Sequence, residues 1–443
     1  MQNKYLDKQS ELEASIGLSR KWDARDAGRE VANSVLKKLE NPPSFFLLFS
    51  TIHYKDHGGF EEFLDGVWDV LPKGTPLIGG TVAGFINNYG CYTRGATALA
   101  VSYPNMDVAV GIGKHTRRNP KRAARNCANT MKNKLTKSNY KNKFLIDVIS
   151  APTIPFGKIN VIKSKFSGWF ISYVVYRIFP FLGSGVGRES EVILQLSSYM
   201  PEYQIIGGSA VDQGKMLTNF QFIDNQIHTD SIVALGCSAD LPISLRGIIG
   251  LHETDKTFEI TGTTYHGMII KTINNKPAKK QFFDLLELPE EQFKELEYFY
   301  YKTSDYYPIT FEENKECVIG VCGILGNNLP VSHTIGGKHA RLLSITGKEI
   351  TENVRQLLQE YDKDTYPFIL SFSSAAYPFM LGNKTFEIKT LLDQKLRETP
   401  YLMVYPMVEN IRIIGKEPSI RVYSTNIFSL GKFSRVGGAD NHK

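Results

Sequence analysis

The chain has 443 residues, of which 42% are hydrophobic and 22% charged, and its formal net charge is +7. This length exceeds one ordinary folding core and favours two domains, while the composition excludes a disordered or fibrous protein. Five widely spaced cysteines, without a C-x-x-C pair or a histidine cluster, indicate neither a disulfide framework nor a metal site, so we expect a reducing compartment.

No secretory signal or membrane span is predicted. The N-terminal residues lack the apolar core of a signal peptide. The most apolar later stretch, residues 169–182, contains Arg177 and Pro180 and is shorter than the ~20 residues needed to cross a bilayer. We therefore expect a cytoplasmic protein in which residues 169–182 form a buried helix or an insertion that faces a partner.

The first part of the chain predicts strands and helices in alternation. An aromatic-rich apolar run at residues 45–49 suits a strand buried on both faces. The next segment carries apolar residues at helical spacing, and it leads to a second strand that begins near Thr75. The elements predicted up to residue 114 are strands at 14–19, 45–49, 75–81, 96–103 and 107–114, and helices at 23–40 and 60–71.

A strongly basic stretch follows. Residues 114–143 contain eleven Lys and Arg and no Asp or Glu. A helix that begins near Pro120 would bury its alanines and leave the cations outside. Such a surface could attract nucleic acid, anionic lipid or an acidic protein, or it could be an ordinary solvated helix face. The residues that define this basic face are Arg117, Arg118, Lys121, Arg122 and Arg125.

A strand, helix, strand pattern occurs three times, which indicates internal repetition of a βαβ crossover. Strands at 45–49 and near Thr75 form the first copy, and strands at 144–150 and 203–212 form the second. The third copy consists of a strand at 367–374, a helical segment at 387–397 and a strand at 399–409, and it lacks the glycine pair of the other two.

The remaining segments predict an α/β fold with mixed parallel and antiparallel sheets and crossover helices. The likeliest domain boundary lies at 239–242, so we expect domains at 1–240 and 241–430 and a flexible tail at 431–443. The further elements are strands at 219–223, 226–228, 230–237, 245–251, 258–261, 268–273, 317–325, 341–346, 401–408 and 419–430, and helices at 274–286, 290–301 and 351–361.

Several motifs occur in an order that resembles FIST sensory proteins. They are the segments 15–19, 49–54, 75–84, 206–214 and 273–278. The resemblance implies an N-terminal FIST domain over roughly residues 30–240 and a C-terminal one over roughly 241–430. It also implies an intracellular signal-transduction input module that binds small ligands such as amino acids and acts beside a separate signalling protein. This chain has Gly84-Phe85 and Val408-Glu409 where the family tends to have Gly-Glu.

A ligand pocket is expected beyond the carboxyl ends of the parallel strands, where free N–H groups and hydroxyls suit a carboxylate. Asp212 or Glu409 would receive the ammonium group of an amino acid. The same residue types also serve as turn formers, caps and structural hydrogen-bonding groups. The candidate ligand-binding residues are Ser50, Thr51, His53, Tyr54, Gly79, Gly80, Thr81, Gly84, Gly207, Gly208, Asp212, Ser373, Ser374 and Glu409.

Catalysis is not indicated, and we expect neither a cofactor nor a metal. Ser373 and Ser374 lack the Gly-x-Ser-x-Gly context of a hydrolase nucleophile. The glycine-rich residues 183–187 resemble a phosphate cradle, but no Lys-Ser/Thr pair follows them. His333 and His339 have no recognisable carboxylate partners for a metal.

Two functions of different class therefore remain. The first is a small-ligand sensor without enzymatic activity, which signals through a separate protein. The second is an interaction or nucleic-acid-binding protein that acts through the basic face. The sequence does not indicate the identity of the ligand, the partner or the oligomeric state.

Overall fold

The computed structural model describes residues 12–135, 140–153, 170, 173–289, 306–359, 364–431 and 433–434. Within these ranges the protein contains helices and several mixed parallel and antiparallel sheets, which confirms the predicted fold class. Three segments of the chain share one topology, and we call them unit 1 (residues 13–102), unit 2 (106–239) and unit 3 (243–430).

Unit 1 begins with a strand and a helix, followed by the predicted βαβ crossover. The first helix is capped by Asp23, whose side chain accepts a hydrogen bond from the amide of Asp26 at 2.9 Å. The elements are β1 (Glu13–Ser19), α1 (Ala24–Leu36), β2 (Phe45–Ser50), α2 (Gly59–Trp68), β3 (Leu77–Thr81), β4 (Phe85–Asn87), β5 (Gly90–Tyr92) and β6 (Ala96–Ser102).

Unit 2 repeats this order of elements. Its first helix has Pro120 at the first helical position, where the missing N–H costs nothing. The elements are β7 (Met106–Lys114), α3 (Pro120–Lys132), β8 (Asn142–Ser150), α4 (Glu189–Tyr199), β9 (Gln204–Ala210), β10 (Gln221–Ile223), β11 (Gln226–His228) and β12 (Ser231–Ala239).

Unit 3 begins with β13 (Ile243–Ile249) and then contains an insertion that forms its own sheet. The predicted strand at 317–325 is wrong in extent, because only two of its residues form a strand and two others, Val321 and Leu325, form isolated bridges. The helix predicted at 290–301 lies outside the described residues. The inserted elements are β14 (His252–Thr264), β15 (Ile269–Ile273), β16 (Lys276–Pro277), α5 (Ala278–Leu285), β17 (Ile309–Phe311), β18 (Val318–Ile319), β19 (Leu329–Pro330) and β20 (His339–Ser344).

The rest of unit 3 returns to the shared topology. The strand predicted at 401–408 is too long, because it ends at Val404. The single strand predicted at 419–430 is wrong, because this segment divides into two strands that belong to different sheets. Pro406 cannot donate to a ladder and lies just after the end of the first of these strands. The elements are α6 (Gly347–Gln359), β21 (Asp364–Thr365), β22 (Ile369–Ser373), α7 (Ala376–Leu381), α8 (Thr385–Leu396), β23 (Tyr401–Val404), β24 (Glu409–Arg412), β25 (Ser419–Arg421), β26 (Ser424–Leu430) and β27 (Phe433–Ser434).

Each unit places its two parallel strands at the centre of a six-stranded sheet, which confirms the predicted internal repetition. The parallel pairs are β2 with β3, β8 with β9, and β22 with β23. The three sheets have the orders β1-β6-β2-β3-β10-β11, β7-β12-β8-β9-β24-β25 and β13-β26-β22-β23-β4-β5.

The outer two strands of every sheet come from a different unit. The hairpin β4–β5 of unit 1 extends the sheet of unit 3, where Phe85 pairs with Val404. The hairpin β10–β11 of unit 2 extends the sheet of unit 1, and β24–β25 of unit 3 extends the sheet of unit 2. The three units are therefore joined in a ring by exchanged hairpins.

One hydrophobic core lies between the three sheets. Because side chains alternate along a strand, Phe45, Leu47 and Phe49 face this shared core, whereas Phe46 and Leu48 pack under the helices of unit 1. Equivalent inward-facing residues come from β8 and β22, and their helices cover the outer faces of those sheets. The centre of the molecule is thus built from all three units.

Candidate ligand cavity

A cavity of about 90 Å³ lies beyond the carboxyl ends of the parallel strands of units 2 and 3. Pro152 follows β8, Val211 follows β9, Ser374 follows β22 and Met407 follows β23, and all four line it. The inserted sheet closes the opposite side. The lining residues from the insertion are Gly320, Val321, Cys322 and Ser332.

Backbone hydrogen bonds fix the shape of this region. The amide of Ala375 donates to the carbonyl of Pro406 at 2.9 Å, so the segment that follows β22 is bonded to the segment that follows β23. The amide of Met407 donates to the carbonyl of Ser209 at 3.0 Å, and this bond ties unit 3 to the end of β9. The cavity therefore has a rigid wall on the side formed by the parallel strands.

Glu189, the first residue of α4, supplies a carboxyl group to the cavity. The residue is 4% exposed, and its Oε1 atom has no hydrogen-bond partner. Burial raises the pKa of Glu189 to about 7, while the charge of Arg117 acts in the opposite direction. A Cβ atom at Gly187 would lie 2.1 Å from Oε2 of Glu189, so glycine leaves the room that this carboxyl group needs.

The rest of the lining is mostly apolar. Val321, Phe379 and Val422 contribute hydrocarbon, and Ser332 and Ser374 contribute hydroxyl groups. The Ser332 hydroxyl accepts a hydrogen bond from the amide of Gly320 at 3.1 Å and also lies 3.1 Å from Nδ1 of His333, so both of its hydrogen-bonding roles are used within the protein. One buried acid, two hydroxyls and an apolar wall suit a small molecule with a cationic or donor group at one end.

The candidate residues at the ends of β2 and β3 lie elsewhere, buried between units 1 and 2. A Cβ atom at Gly79 would lie 1.7 Å from the carbonyl oxygen of Leu48, and one at Gly80 would lie 2.6 Å from that of Phe220. The hydroxyl of Thr81 accepts a hydrogen bond from the amide of Phe220 at 3.1 Å. Ser50 is buried without a partner for its hydroxyl. Backbone and side chains fill this junction, and none of these residues lines the cavity.

Thr51, His53 and Tyr54 form a cluster next to the end of β2. The hydroxyl of Thr51 lies 2.7 Å from Nδ1 of His53, whose ring packs 3.8 Å from that of Tyr54. Burial, helped by the charge of Arg94, lowers the pKa of His53 to about 4. Nearby, the carbonyl of Gly84 accepts a hydrogen bond from the amide of Tyr405 at 3.1 Å. The bond between Gly84 and Tyr405 connects unit 1 to unit 3, and none of these residues lines the cavity.

Asp212 and Glu409, the predicted receivers of an ammonium group, have protein partners. The carboxylate of Asp212 accepts hydrogen bonds from the amides of Met216, Leu217 and Thr218 at 2.7 to 3.0 Å. Oε2 of Glu409 accepts a hydrogen bond from the Ser424 hydroxyl at 2.9 Å, and burial holds the pKa of Glu409 well above its usual range.

Of the other candidates in units 2 and 3, Ser374 lines the cavity. Ser373 lies behind it, with its hydroxyl 2.8 Å from that of Thr425. Because they lack a side chain, Gly207 leaves room for Asp147 and Gly208 leaves room for Pro406. Sequence reasoning missed Glu189; the signal that could have found it is an acidic residue that follows the glycine-rich residues 183–187 after one intervening residue.

The basic face divides into two parts. Arg117 is buried, and its guanidinium contacts Asp230 at 3.2 Å and donates to the carbonyl of Gly183 at 2.8 Å. By contrast, Lys121, Arg122 and Arg125 are exposed on α3, and Arg118 is exposed just before it. The face therefore has four exposed cations and one buried cation.

Within the described part of the chain, no helix is long and apolar enough to cross a membrane. None of the five cysteines forms a disulfide. Among the same described residues, no group of three or more His, Cys, Asp or Glu side chains could hold a metal ion.

Comparison with known proteins gave one family match. The model of the FIST N domain matches residues 44–276, which is more than half of the chain. No curated protein matches it. The matched segment contains the β2–β3 pair, all of unit 2 and the start of the insertion in unit 3.

Proposed function

The chain belongs to the FIST family, a family of sensory domains, and we propose that it senses a small molecule held in the cavity between units 2 and 3. The single observation that supports this site is the carboxyl group of Glu189, a residue that lines the cavity and whose buried Oε1 atom has no hydrogen-bond partner. An unpaired buried acceptor is costly, and a ligand that donates a hydrogen bond to it would remove that cost.

The ligand class that fits best is an amino acid with a small apolar side chain. Its ammonium group would bind the Glu189 carboxylate as a charge-assisted hydrogen bond. Its carboxylate would accept a hydrogen bond from the Ser374 hydroxyl, and its side chain would contact the apolar wall. A free volume of about 90 Å³ favours the smaller members of this class.

Signal output through a separate protein is part of the proposal. Phe379 of α7 lines the cavity and is 48% exposed, so one side chain contacts both the ligand space and the surface. A ligand that packs against this ring would change the position of α7. A partner protein that binds α7 would then bind the liganded and unliganded forms differently. The protein would then act as an intracellular input module without catalysis.

Binding should depend on pH because Glu189 must be ionised to bind an ammonium group. Since its pKa is raised to about 7, affinity for an amino acid should increase about tenfold per pH unit between pH 5 and 7 and become constant above. Isothermal titration calorimetry with a panel of L-amino acids measures this dependence. The Glu189→Gln variant should bind at least about tenfold more weakly, without the pH dependence.

Glu387→Gln is the matched control, since it removes an exposed carboxylate from α8. This variant should bind like the original protein at each pH. The proposal fails if no amino acid binds, or if Glu189→Gln and Glu387→Gln bind equally well.

The second candidate function is binding of nucleic acid or another acidic partner through the basic face. Lys121, Arg122 and Arg125 support it, because they are exposed on one helix that has no acidic residue. If this is the function, binding of duplex or single-stranded nucleic acid should weaken steeply with salt and should be lost when these three residues become Glu.

A further inference from the structure

A second pocket, of about 190 Å³, lies between the loop that follows β7, residues 176–191 and the turn between β14 and β15. Its lining is rich in arginine and aromatic side chains. It shares no lining residue with the ligand cavity. The residues that matter for its chemistry are Arg117, Arg118, Arg177, Arg188, Phe181 and Tyr265.

Two of the four guanidinium groups are neutralised within the protein. Arg117 contacts the buried carboxylate of Asp230 at 3.2 Å. Arg188 donates from Nε to Oε1 of Glu191 at 2.6 Å and forms a second bond to Oε2. Throughout the described ranges, no carboxylate pairs with Arg118 or Arg177. The pocket therefore carries about two uncompensated positive charges.

Aromatic rings hold these two guanidinium groups in place. Cζ of Arg118 lies 4.7 Å from the ring centre of Phe181, and Cζ of Arg177 lies 5.8 Å from that of Tyr265. The Tyr265 ring in turn packs 4.7 Å from the Tyr176 ring. A guanidinium over a ring keeps its N–H groups available at its edge, so the interaction orders the cation without using its donors.

A further donor at the pocket is buried and unused. Nε of Arg117 has no hydrogen-bond partner, although its side chain is only 1% exposed. The other nitrogens of that guanidinium are occupied by Asp230, Ser150 and two backbone carbonyls. The guanidinium of Arg117 is thus held in the wall of the pocket by acceptors of the protein itself.

We propose that this pocket binds the dianionic phosphate group of a phosphate monoester, with Arg118 and Arg177 as its charge partners. Two free guanidiniums match two negative charges, and their planar sets of donors suit phosphate oxygens. The volume exceeds that of one phosphate group, which leaves space for part of the esterified group beside the rings of Phe181 and Tyr265.

The test is calorimetric titration of the full-length protein with phenyl phosphate and with inorganic phosphate at constant ionic strength. The double variant Arg118→Gln/Arg177→Gln should weaken phenyl phosphate binding at least about tenfold, because two charge-assisted contacts are lost. Lys121→Gln/Arg125→Gln removes the same charge from the neighbouring helix α3 and should change the affinity less than twofold.

Vesicles distinguish a lipid headgroup from a soluble ester. The protein is sedimented with phosphatidylcholine vesicles that contain or lack phosphatidic acid. If the monoester is a lipid headgroup, the protein should bind only the vesicles with phosphatidic acid, and this binding should require Arg118 and Arg177. If the ligand is a soluble ester, only the titration with phenyl phosphate should show binding that requires these two residues. The inference is overturned if neither probe binds, or if both double variants weaken binding equally. Amino-acid binding and its dependence on Glu189 are measured separately, so either proposal can fail alone.

Discussion

Arg117 and Arg122 are five positions apart in one basic stretch, but their surroundings differ completely. Arg117 is buried among Asp230, Ser150 and backbone carbonyls, whereas Arg122 is exposed on α3. A buried cation with a carboxylate partner is a structural group, since removing it leaves the partner uncompensated. The eleven cations of that stretch therefore do not act as one surface.

Arg117→Gln should lower the free energy of unfolding by about 3–5 kcal/mol, because Asp230 would remain buried without its cation. Denaturant titration followed by circular dichroism measures this change. Arg122→Gln is the matched control and should stay within about 0.5 kcal/mol of the original protein. Equal stability of the two variants would contradict a structural role for Arg117.

At the scale of secondary-structure elements, the exchanged hairpins decide how the units depend on one another. The hairpin β4–β5 forms part of the sheet of unit 3, while β24–β25 forms part of the sheet of unit 2. Cutting the chain near residue 240 would separate these two hairpins from the sheets that they extend, and it would expose the shared core. The division into domains at 1–240 and 241–430 stays a prediction, and we propose that the two parts fold only together.

Expression of residues 1–240 alone should give a protein without a cooperative thermal transition, because the ladder partners of β4 and β9 are missing. Co-expression with residues 241–443 should restore a soluble complex with such a transition. Calorimetry of the separate and combined parts tests this expectation. A cooperative transition in the isolated first part would show an independent domain instead.

For the whole molecule, buried carboxyl groups should make stability depend on pH. Burial raises the pKa of Asp147 to about 8 and that of Glu189 to about 7, and it also raises that of Glu409. A raised pKa in the folded state means that folding favours the protonated form. This stabilisation is complete below the unfolded pKa near 4, and it is lost as the pH rises through 7 and 8.

We therefore expect the free energy of unfolding to fall by on the order of 3 kcal/mol between pH 6 and pH 8. Urea titrations at several pH values provide the measurement. The double variant Asp147→Asn/Glu189→Gln should remove most of this slope, since neither replacement titrates. A slope that is unchanged in the double variant would mean that other groups cause the pH dependence.

Much of the candidate site could not be predicted from the sequence. The predicted carboxyl ends of β2, β8 and β22 lie within one residue of the observed ends. Small residues at such strand ends nevertheless lie in a filled junction at Gly80 and in an open cavity at Ser374. The difference arises because the insertion of unit 3 contributes Gly320 and Ser332, which are distant in sequence. Glu189 is a candidate only because the fold buries its carboxyl group in the lining of the cavity and leaves its Oε1 atom without a partner.

The sequence by itself determined the strands buried on both faces, the helices that cross between them and the threefold repetition. These features depend on the spacing of apolar residues within a short segment, which can be read directly from the sequence. Only the tertiary structure decided which sheet each hairpin joins, which arginines are buried and where an open space remains. Such features depend on contacts between segments far apart in the chain, and the spacing of apolar residues carries no information about them.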